Sequence, residues 1–520
     1  MTETLERRLA DAFAEADRIL APGAERTRLL RQALGAIRER SRALMSVAVV
    51  GRVSSGKSTL VNALIGEQRV ATGSQELTYN VNRLRYGTKP GLMVHYKDDR
   101  PPVPYSLEAL ESLTARREEH MEQLQGIREV VVETTAKYLR SFELIDTPGL
   151  DAVFGDDSLN TLEFLRMVPG EIRTSTLQHA STADALLLVV GIRGPAEADT
   201  QLLDNFLGGE RADATPLNAL GVLTKCEHRW RYGEAHPLVI GRQLADRTLR
   251  EAPNMHRRLY DLTPVCSLVG LGASVLDGPT LEQLRELAAL PPERLRGRLV
   301  MADRFTAGNA ELPLEPAERR RLWDQFAAYG LFAATTAIRA GIDTLEPLRA
   351  HLLADSGMED LRAKLVDHFG HRAALLKFHA ATERIGRMPH KLAAGLGPRE
   401  RTALDEAIGV FTGLSLNEPG IDQLTVLRNL YTGRLSPGSD EEAEEVRRVL
   451  GEFGRRPCDR LGAPPDTPPE RLQQLARERH AWWSVHWMSG ILYGPDREAA
   501  RIVVRAYEYL IHELNAVSPW

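Results

Sequence analysis

Cysteine is nearly absent. Cys226, Cys266 and Cys458 are the only three in 520 residues, too few and too scattered for a disulfide framework or a zinc site. Long apolar runs are missing as well, since no stretch approaches the ~20 residues that span a bilayer. The opening Met-Thr-Glu-Thr-Leu-Glu-Arg-Arg lacks a signal-peptide core. A cytoplasmic location follows as the expectation. Positive charge is not in excess either: 66 Lys and Arg stand against 71 Asp and Glu for a net charge of −5, with a pI near 6.3. Such a chain has no global basic field for nucleic acid, and no nucleic-acid partner is expected. Lysine is scarce beside arginine, and two of the few lysines, Lys57 and Lys225, fall inside motifs. The length predicts roughly three structural units of about 150 residues each.

What the sequence does contain begins at Gly51-Arg-Val-Ser-Ser-Gly-Lys-Ser-Thr59. This segment directly follows the apolar run Val47-Ala48-Val49-Val50 and precedes the helix-like Leu60-Val61-Asn62-Ala63-Leu64. It is a G-x-x-x-x-G-K-[ST] loop in the strand-loop-helix setting its mechanism needs. Gly51 and Gly56 let the backbone approach a polyphosphate, the amides of Ser54, Ser55 and their neighbours form an anion nest at a helix N-terminus, and Lys57 adds a point charge. A nucleoside triphosphate is the ligand this pattern implies.

Helical stripes occupy the first 44 residues, one through Leu5, Leu9, Phe13, Ala16 and Leu20 and another through Leu30, Leu34, Ile37 and Leu44. From 45 to about 278, β-branched runs alternate with helical segments. The strand candidates are 47–50, 81–86, 130–132, 142–145, 185–190, 219–223 and 262–265. That alternation predicts an α/β domain with a mostly parallel sheet flanked by helices. Over 279–520 the strand signal vanishes and amphipathic patterns take over, such as Leu361, Leu365, Phe369 and Leu376, then Val503, Tyr507, Leu510 and Leu514. These predict an all-α helical bundle, whose C-terminal helix is expected to pack back on the N-terminal helices, the alternative being that the terminal stripes pad the α/β core.

Further motifs select the nucleotide. Asp146-Thr147-Pro148-Gly149 follows Phe142-Glu143-Leu144-Ile145, so Asp146 stands at a strand end to hold Mg²⁺ through water and Gly149 offers an N–H to a γ-phosphate. Thr224-Lys225-Cys226-Glu227 follows Ala219 to Leu223 and resembles the [NT]-K-x-D guanine motif. There a lysine stem lies along the base and a carboxylate takes two donors from guanine's edge, which adenine lacks. Glu227 stands in place of aspartate, so guanine selectivity is expected in weakened form. Ser267, after the strand candidate 262–265, would lie under the base. Ser58 is the expected direct Mg²⁺ ligand and Thr78 the second, switch-type ligand, with Thr72 its competitor. Leu150 occupies the position where Ras-like enzymes place a water-orienting glutamine, so the attacking water must be placed by other groups or by a partner subunit. Arg52 and Arg173 are candidates to neutralise charge. Slow turnover that rises on self-association is the expectation.

In this order the motifs resemble those of bacterial dynamin-like proteins, large GTPases of the dynamin superfamily. The resemblance runs from Gly51 to Gly66, through Thr72 to Gly87, Asp146 to Leu150, Ala183-Asp184-Ala185 and Val222 to Lys225. Ala302-Asp303-Arg304-Phe305, Ser356 to Leu361 and Asp367-His368-Phe369-Gly370 are similar to the actinobacterial, isoniazid-inducible branch. The resemblance implies a GTPase domain, a neck made from helices at both chain ends with a helical stalk over 279–520, bound GTP or GDP with Mg²⁺, and catalytic roles for Lys57, Ser54, Thr78 and Gly149. It further implies GTP-dependent pairing of the chain with itself or a second dynamin-like chain, and peripheral action on lipid at the inner face of the cell membrane. Val53 departs from the eukaryotic pattern, where a water-positioning glutamine stands, while Ser54 matches the neighbouring serine.

Lipid-touching candidates are short. Met388 to Gly397 lies between helical stretches, where a bundle tip would be, and Trp482, Trp483, Trp487, Ile491, Leu492 and Tyr493 cluster before Gly494-Pro495. The tryptophans, at helical spacing, read more readily as bundle core. Phe326 to Phe332, following Arg319-Arg320-Arg321, reads as a buried helix. Two alternatives to a membrane-acting GTPase stay open: a soluble switch that recruits a protein partner, and a module that binds nucleotide without hydrolysing it.

Overall fold

In the computed structural model the chain divides into two compact units, Ser46–Val366 and the pairing of Met1–Met45 with Asp367–Trp520. The structure describes all residues except 1, 22–26, 53, 68–81, 99, 115–123, 125, 147–182, 195–217, 232, 253–254, 256–258, 309–311, 371–372, 387–395, 417, 432–433, 455 and 518–520.

The first unit is built on nine strands: β1 Met45–Gly51, β2 Asn82–Tyr86, β3 Gly91–Tyr96, β4 Val103–Tyr105, β5 Ile127–Thr134, β6 Phe142–Asp146, β7 Ala185–Gly191, β8 Ala219–Thr224 and β9 Leu262–Pro264. They form one sheet in the order β4-β3-β5-β2-β6-β1-β7-β8-β9. β1 pairs parallel with β7, β7 with β8, β8 with β9, and β2 with β5. The β2–β6, β3–β4 and β3–β5 pairs are antiparallel. This is the mostly parallel α/β sheet expected from the alternation. β1 and β8 are buried along their whole length, which is why they read as continuous apolar runs.

β3 and β4 were not among the strand candidates. β3 is Gly-Leu-Met-Val-His-Tyr, with one β-branched residue and burial that alternates between faces, and β4 is a three-residue edge strand containing Pro104. Neither carries the β-branched run that marks a doubly covered strand.

Residues 279–366, grouped with the bundle on sequence, pack in the sheet's unit. Leu284 of helix Gly278–Ala288, Phe326 and Leu331 of helix Pro316–Arg339, and Leu348 of helix Leu345–Asp355 share one core with Val50, Leu188 and Leu223. Loss of strand signal near 278 marks the end of the sheet, whereas the helices covering its face continue. The Arg319 guanidinium belongs to this packing: it is buried and donates to the carbonyls of Phe305 at 2.8 Å, Leu314 at 2.6 Å and Ala307 at 2.6 Å.

The second unit is all helical. Helices Thr2–Leu20 and Arg28–Arg42 pack with Ala373–Gly386 and Pro398–Leu416 around Leu9, Phe13, Leu30, Phe378, Leu404 and Phe411. Phe13 and Phe411 meet edge to face at 5.0 Å. The C-terminal helix Gly494–Val517 has helix Pro469–Met488 as its principal partner. The expected packing of that helix on the N-terminal pair is replaced by this hairpin, since its stripe Val503, Tyr507 and Leu510 is buried there and the N-terminal stripes are covered by 373–416.

Candidate nucleotide-binding site

β1, β6 and β8 end at one place in the sheet, and each delivers a motif there. β1 ends at Gly51, where a Cβ would lie 2.4 Å from the Val189 carbonyl oxygen of β7, so only glycine brings the loop this close to the neighbouring strand. Ser54 follows in the left-handed region, with φ 58°, and helix Lys57–Ile65 begins after Gly56. The Lys57 ammonium donates to the carbonyls of Gly51 at 3.0 Å and Arg52 at 2.9 Å, tying the lysine to the loop that precedes it. The Arg52 guanidinium donates to Gly194 O at 3.1 Å. Ser55 Oγ is buried without a partner among the described residues. Ser58 and Thr59 are half-buried on the first helical turn.

Asp146 closes β6 and is fully buried, and burial pushes its carboxyl up to about 6 against the opposing pull of Lys57 and Asn82. Its Cα register partner on β2 is Asn82, whose amide Nδ2 lies 3.5 Å from Asp146 Oδ2. Oδ1 of Asp146 and Oδ1 of Asn82 are both buried and unpartnered among the described residues. Asn82 escaped the sequence reading; its signal is an uncharged amide at the start of the strand candidate 81–86. Hard, unpartnered oxygens beside a lysine fit a magnesium polyphosphate. Among the described residues no cluster of three His, Cys, Asp or Glu could hold a metal by itself, and Mg²⁺ usually takes only one or two carboxylates plus substrate phosphates.

β8 supplies the third motif. Thr224 Oγ1 donates to the Ser55 carbonyl and to Val190 O at 3.2 Å, which pins the phosphate loop to the sheet end. Lys225 is left-handed, with φ 64°, and its Cε lies 3.7 Å from where a Gly56 Cβ would be, so its stem runs against the phosphate loop. Burial lowers the Lys225 pKa, partly offset by Glu227. Glu227 is buried; its Oε1 accepts the Leu268 N–H at 3.0 Å and its Oε2 has no partner among the described residues. Burial raises its carboxyl from an ordinary 4.5 to about 7. Ser267 is buried as the first residue of helix Ser267–Ser274. The two flanking thiols are buried too: Cys226 is pushed up to about 12 and Cys266 well above its ordinary value, which keeps both protonated at neutral pH.

The structure therefore brings Gly51, Ser54, Ser55, Gly56, Lys57, Ser58, Thr59, Asp146, Thr224, Lys225, Glu227 and Ser267 to neighbouring strand ends and their loops. Thr78, Gly149, Thr72, Val53, Leu150 and Arg173 lie outside the described residues.

A phosphate loop, a strand-end aspartate and a lysine-bearing base loop on one mixed sheet define the P-loop GTPase class. Residues 47–226 match the dynamin family. Over 512 residues the chain is 26% identical to the isoniazid-induced protein IniC of Mycobacterium tuberculosis, covering 98% of this chain and 95% of that protein. It is 30% identical over 136 residues to dynamin-like protein 2 of Campylobacter jejuni, covering 26% of this chain and 21% of that one. Among solved structures it is similar to a bacterial dynamin from an oligomerised pair described as sensing and tethering membranes, at 14% identity and a TM-score of 0.29, with 94% of this chain and 87% of that chain covered. Residues 47–226 thus carry a dynamin-type GTPase domain, a class that binds guanine nucleotide and hydrolyses GTP.

Proposed function

We propose that the protein is a mechanochemical GTPase that holds GTP with Mg²⁺, self-associates through its nucleotide domain and acts on membrane surfaces. The observation that carries the site is the set of buried, unpartnered oxygens on Ser55, Asn82 and Asp146 beside the Lys57 ammonium. In this reading the amides of residues 54–59 and Lys57 would bind the phosphates, and Ser58, Thr78 and Asp146 would hold the metal. Mg²⁺, when bound, neutralises charge developing on the transferred phosphoryl group. Gly149 would donate to the γ-phosphate, Ser54 would serve the phosphates, and Lys225, Glu227 and Ser267 would hold the base.

Support for a membrane role comes from the hairpin tip between helices Pro469–Met488 and Gly494–Val517. Val485, Met488, Ile491 and Tyr493 are all at least 67% exposed there, and Trp482 is half exposed. Trp483 is buried, with its indole N–H donating to Glu445 at 3.1 Å, so the aromatic cluster divides between core and tip. The alternative lipid segment 326–332 has its large side chains in the core, and most of 388–397 lies outside the described residues. No described helix is long and apolar enough to cross a membrane, so contact would be peripheral and would gain strength from assembly.

The test is phosphate release from GTP, measured across protein concentration with and without vesicles. Specific activity that climbs with concentration and again on vesicles is expected. Activity that is flat in concentration would remove the assembly step, and no activity under any condition would leave a nucleotide-binding module. A second reading, a switch that docks a protein partner, draws on the acidic helix Asp440–Val449, which reaches the same tip where Glu442 lies 3.7 Å from His486.

A further inference from the structure

Glu227 occupies the position from which a carboxylate would meet the nucleobase, and half of that carboxylate is already engaged. Helix Ser267–Ser274 begins beside it, and the N–H groups of a first turn have no acceptor within their own helix. Glu227 Oε1 satisfies the one on Leu268 at 3.0 Å. The residue is only 1% exposed, and Oε2 is buried with no partner among the described residues.

We propose that this site reads one of guanine's two edge donors, the ring N1–H, and leaves the 2-amino group unread, so that guanine and hypoxanthine nucleotides are nearly equivalent ligands. The proposal rests on the guanine-nucleotide reading of the site given above.

Guanine presents N1–H and the 2-amino group side by side, and a carboxylate with both oxygens available accepts one from each. Here Oε1 is held by the half-buried Leu268 N–H, a first-turn donor with no acceptor in its own helix, and withdrawing Oε1 would cost that hydrogen bond. Oε2 remains, and the imide-like N1–H is a stronger donor than an aromatic amine. Hypoxanthine keeps N1–H and lacks the amine. Adenine instead carries a lone pair at N1, which faces the carboxylate oxygen repulsively. Adenine is therefore still rejected although one contact is lost. The flanking side chains Cys226 and Cys266 are buried thiols, weak partners for an amine.

Equilibrium competition tests this directly, with the full chain bound to a fluorescent guanine nucleotide and GTP, ITP or ATP as competitor. ITP is expected within about threefold of GTP, and ATP weaker by about a hundredfold or more; a hydrogen bond to a charged group is worth about tenfold to a hundredfold. ITP weaker than GTP by about tenfold or more would mean that both donors are read, and the proposal fails. ATP equal to GTP, or no binding by any of the three, defeats the guanine reading itself, so the two failures are distinguishable. Glu227→Asp, with a side chain too short to hold Leu268 N–H, should free both oxygens and widen the GTP to ITP ratio to about tenfold. A folded variant with an unchanged ratio overturns the proposal, and the wild-type comparison decides it even where the variant does not fold.

Discussion

Lys57 is the most demanding position at the residue scale, because a long cationic side chain 7% exposed is satisfied by two carbonyls of its own loop. Lys57→Ala removes charge-assisted contacts to phosphate, and GTP affinity is expected to fall by about a hundredfold or more. Calorimetric titration with GTP checks this, and unchanged affinity would move the phosphates elsewhere. Glu227 adds a pH dependence. Its folded value near 7 lies above its ordinary 4.5, so between those values the folded chain binds the proton more tightly than the unfolded one. Its contribution to stability is fully present below pH 4.5, declines as pH rises toward 7 and is flat above, a change of about 3 kcal/mol by linkage. Base reading needs the ionised, accepting form, so GTP affinity should rise with pH over the same window. Lys225 and the high-lying thiols of Cys226 and Cys266 also face this carboxylate, and His228, held below its ordinary value by burial, titrates nearby. Glu227→Gln isolates the carboxylate from them. Affinity measured across pH should flatten in the variant, and a slope that persists unchanged would assign it to Asp146, whose carboxyl burial raises to about 6, or to His228.

Among the elements, helix Ser267–Ser274 joins the base loop to the packing around it. A Cβ on Gly272 would meet the Gln325 carbonyl oxygen at 2.6 Å and Phe326 Cδ1 at 2.8 Å, while one on Gly297, in helix Pro292–Arg298, meets nothing within 4 Å. Gly272→Ala is therefore expected to destabilise by about 1–3 kcal/mol, lowering Tm by about 2–4 °C for each. Gly297→Ala should be neutral or slightly stabilising. Thermal melts of the two variants separate close packing from helix propensity, and equal melting points would sink the packing argument. These elements also show what a sequence can and cannot disclose. β1, β7 and β8 were legible because strands covered on both faces must be apolar throughout. The phosphate loop was legible because close backbone approach admits few residues. Asn82 was not, since its significance lies in pairing across to Asp146, 64 positions away. Nor was the commitment of Glu227 to Leu268, which requires β9 to bring residues 41 positions apart together. The helices of 279–366 gave the same stripe whether they faced a sheet or another helix.

For the whole molecule, the central question is what the hairpin tip meets. Trp482, Val485, Met488, Ile491 and Tyr493 are exposed together, and burying a side chain of that size gains about 1.5–3 kcal/mol. A single copy would bind a bilayer weakly and reversibly, and an assembled array would hold firmly. The neighbouring helix Asp440–Val449 opens with Asp440, Glu441 and Glu442, which repel anionic headgroups, so apolar insertion must supply the attraction. Two outcomes follow for vesicle flotation in the presence of a GTP analogue. Zwitterionic vesicles should capture the protein at least as well as anionic ones, and Met488→Asp with Ile491→Asp should abolish that capture while leaving basal GTP hydrolysis unchanged, because the tip and the nucleotide site belong to different compact units. Flotation that survives the double substitution would remove this tip from the membrane contact. Capture by anionic vesicles alone would point to a basic surface elsewhere in the chain, since the acidic flank of this tip opposes such a preference.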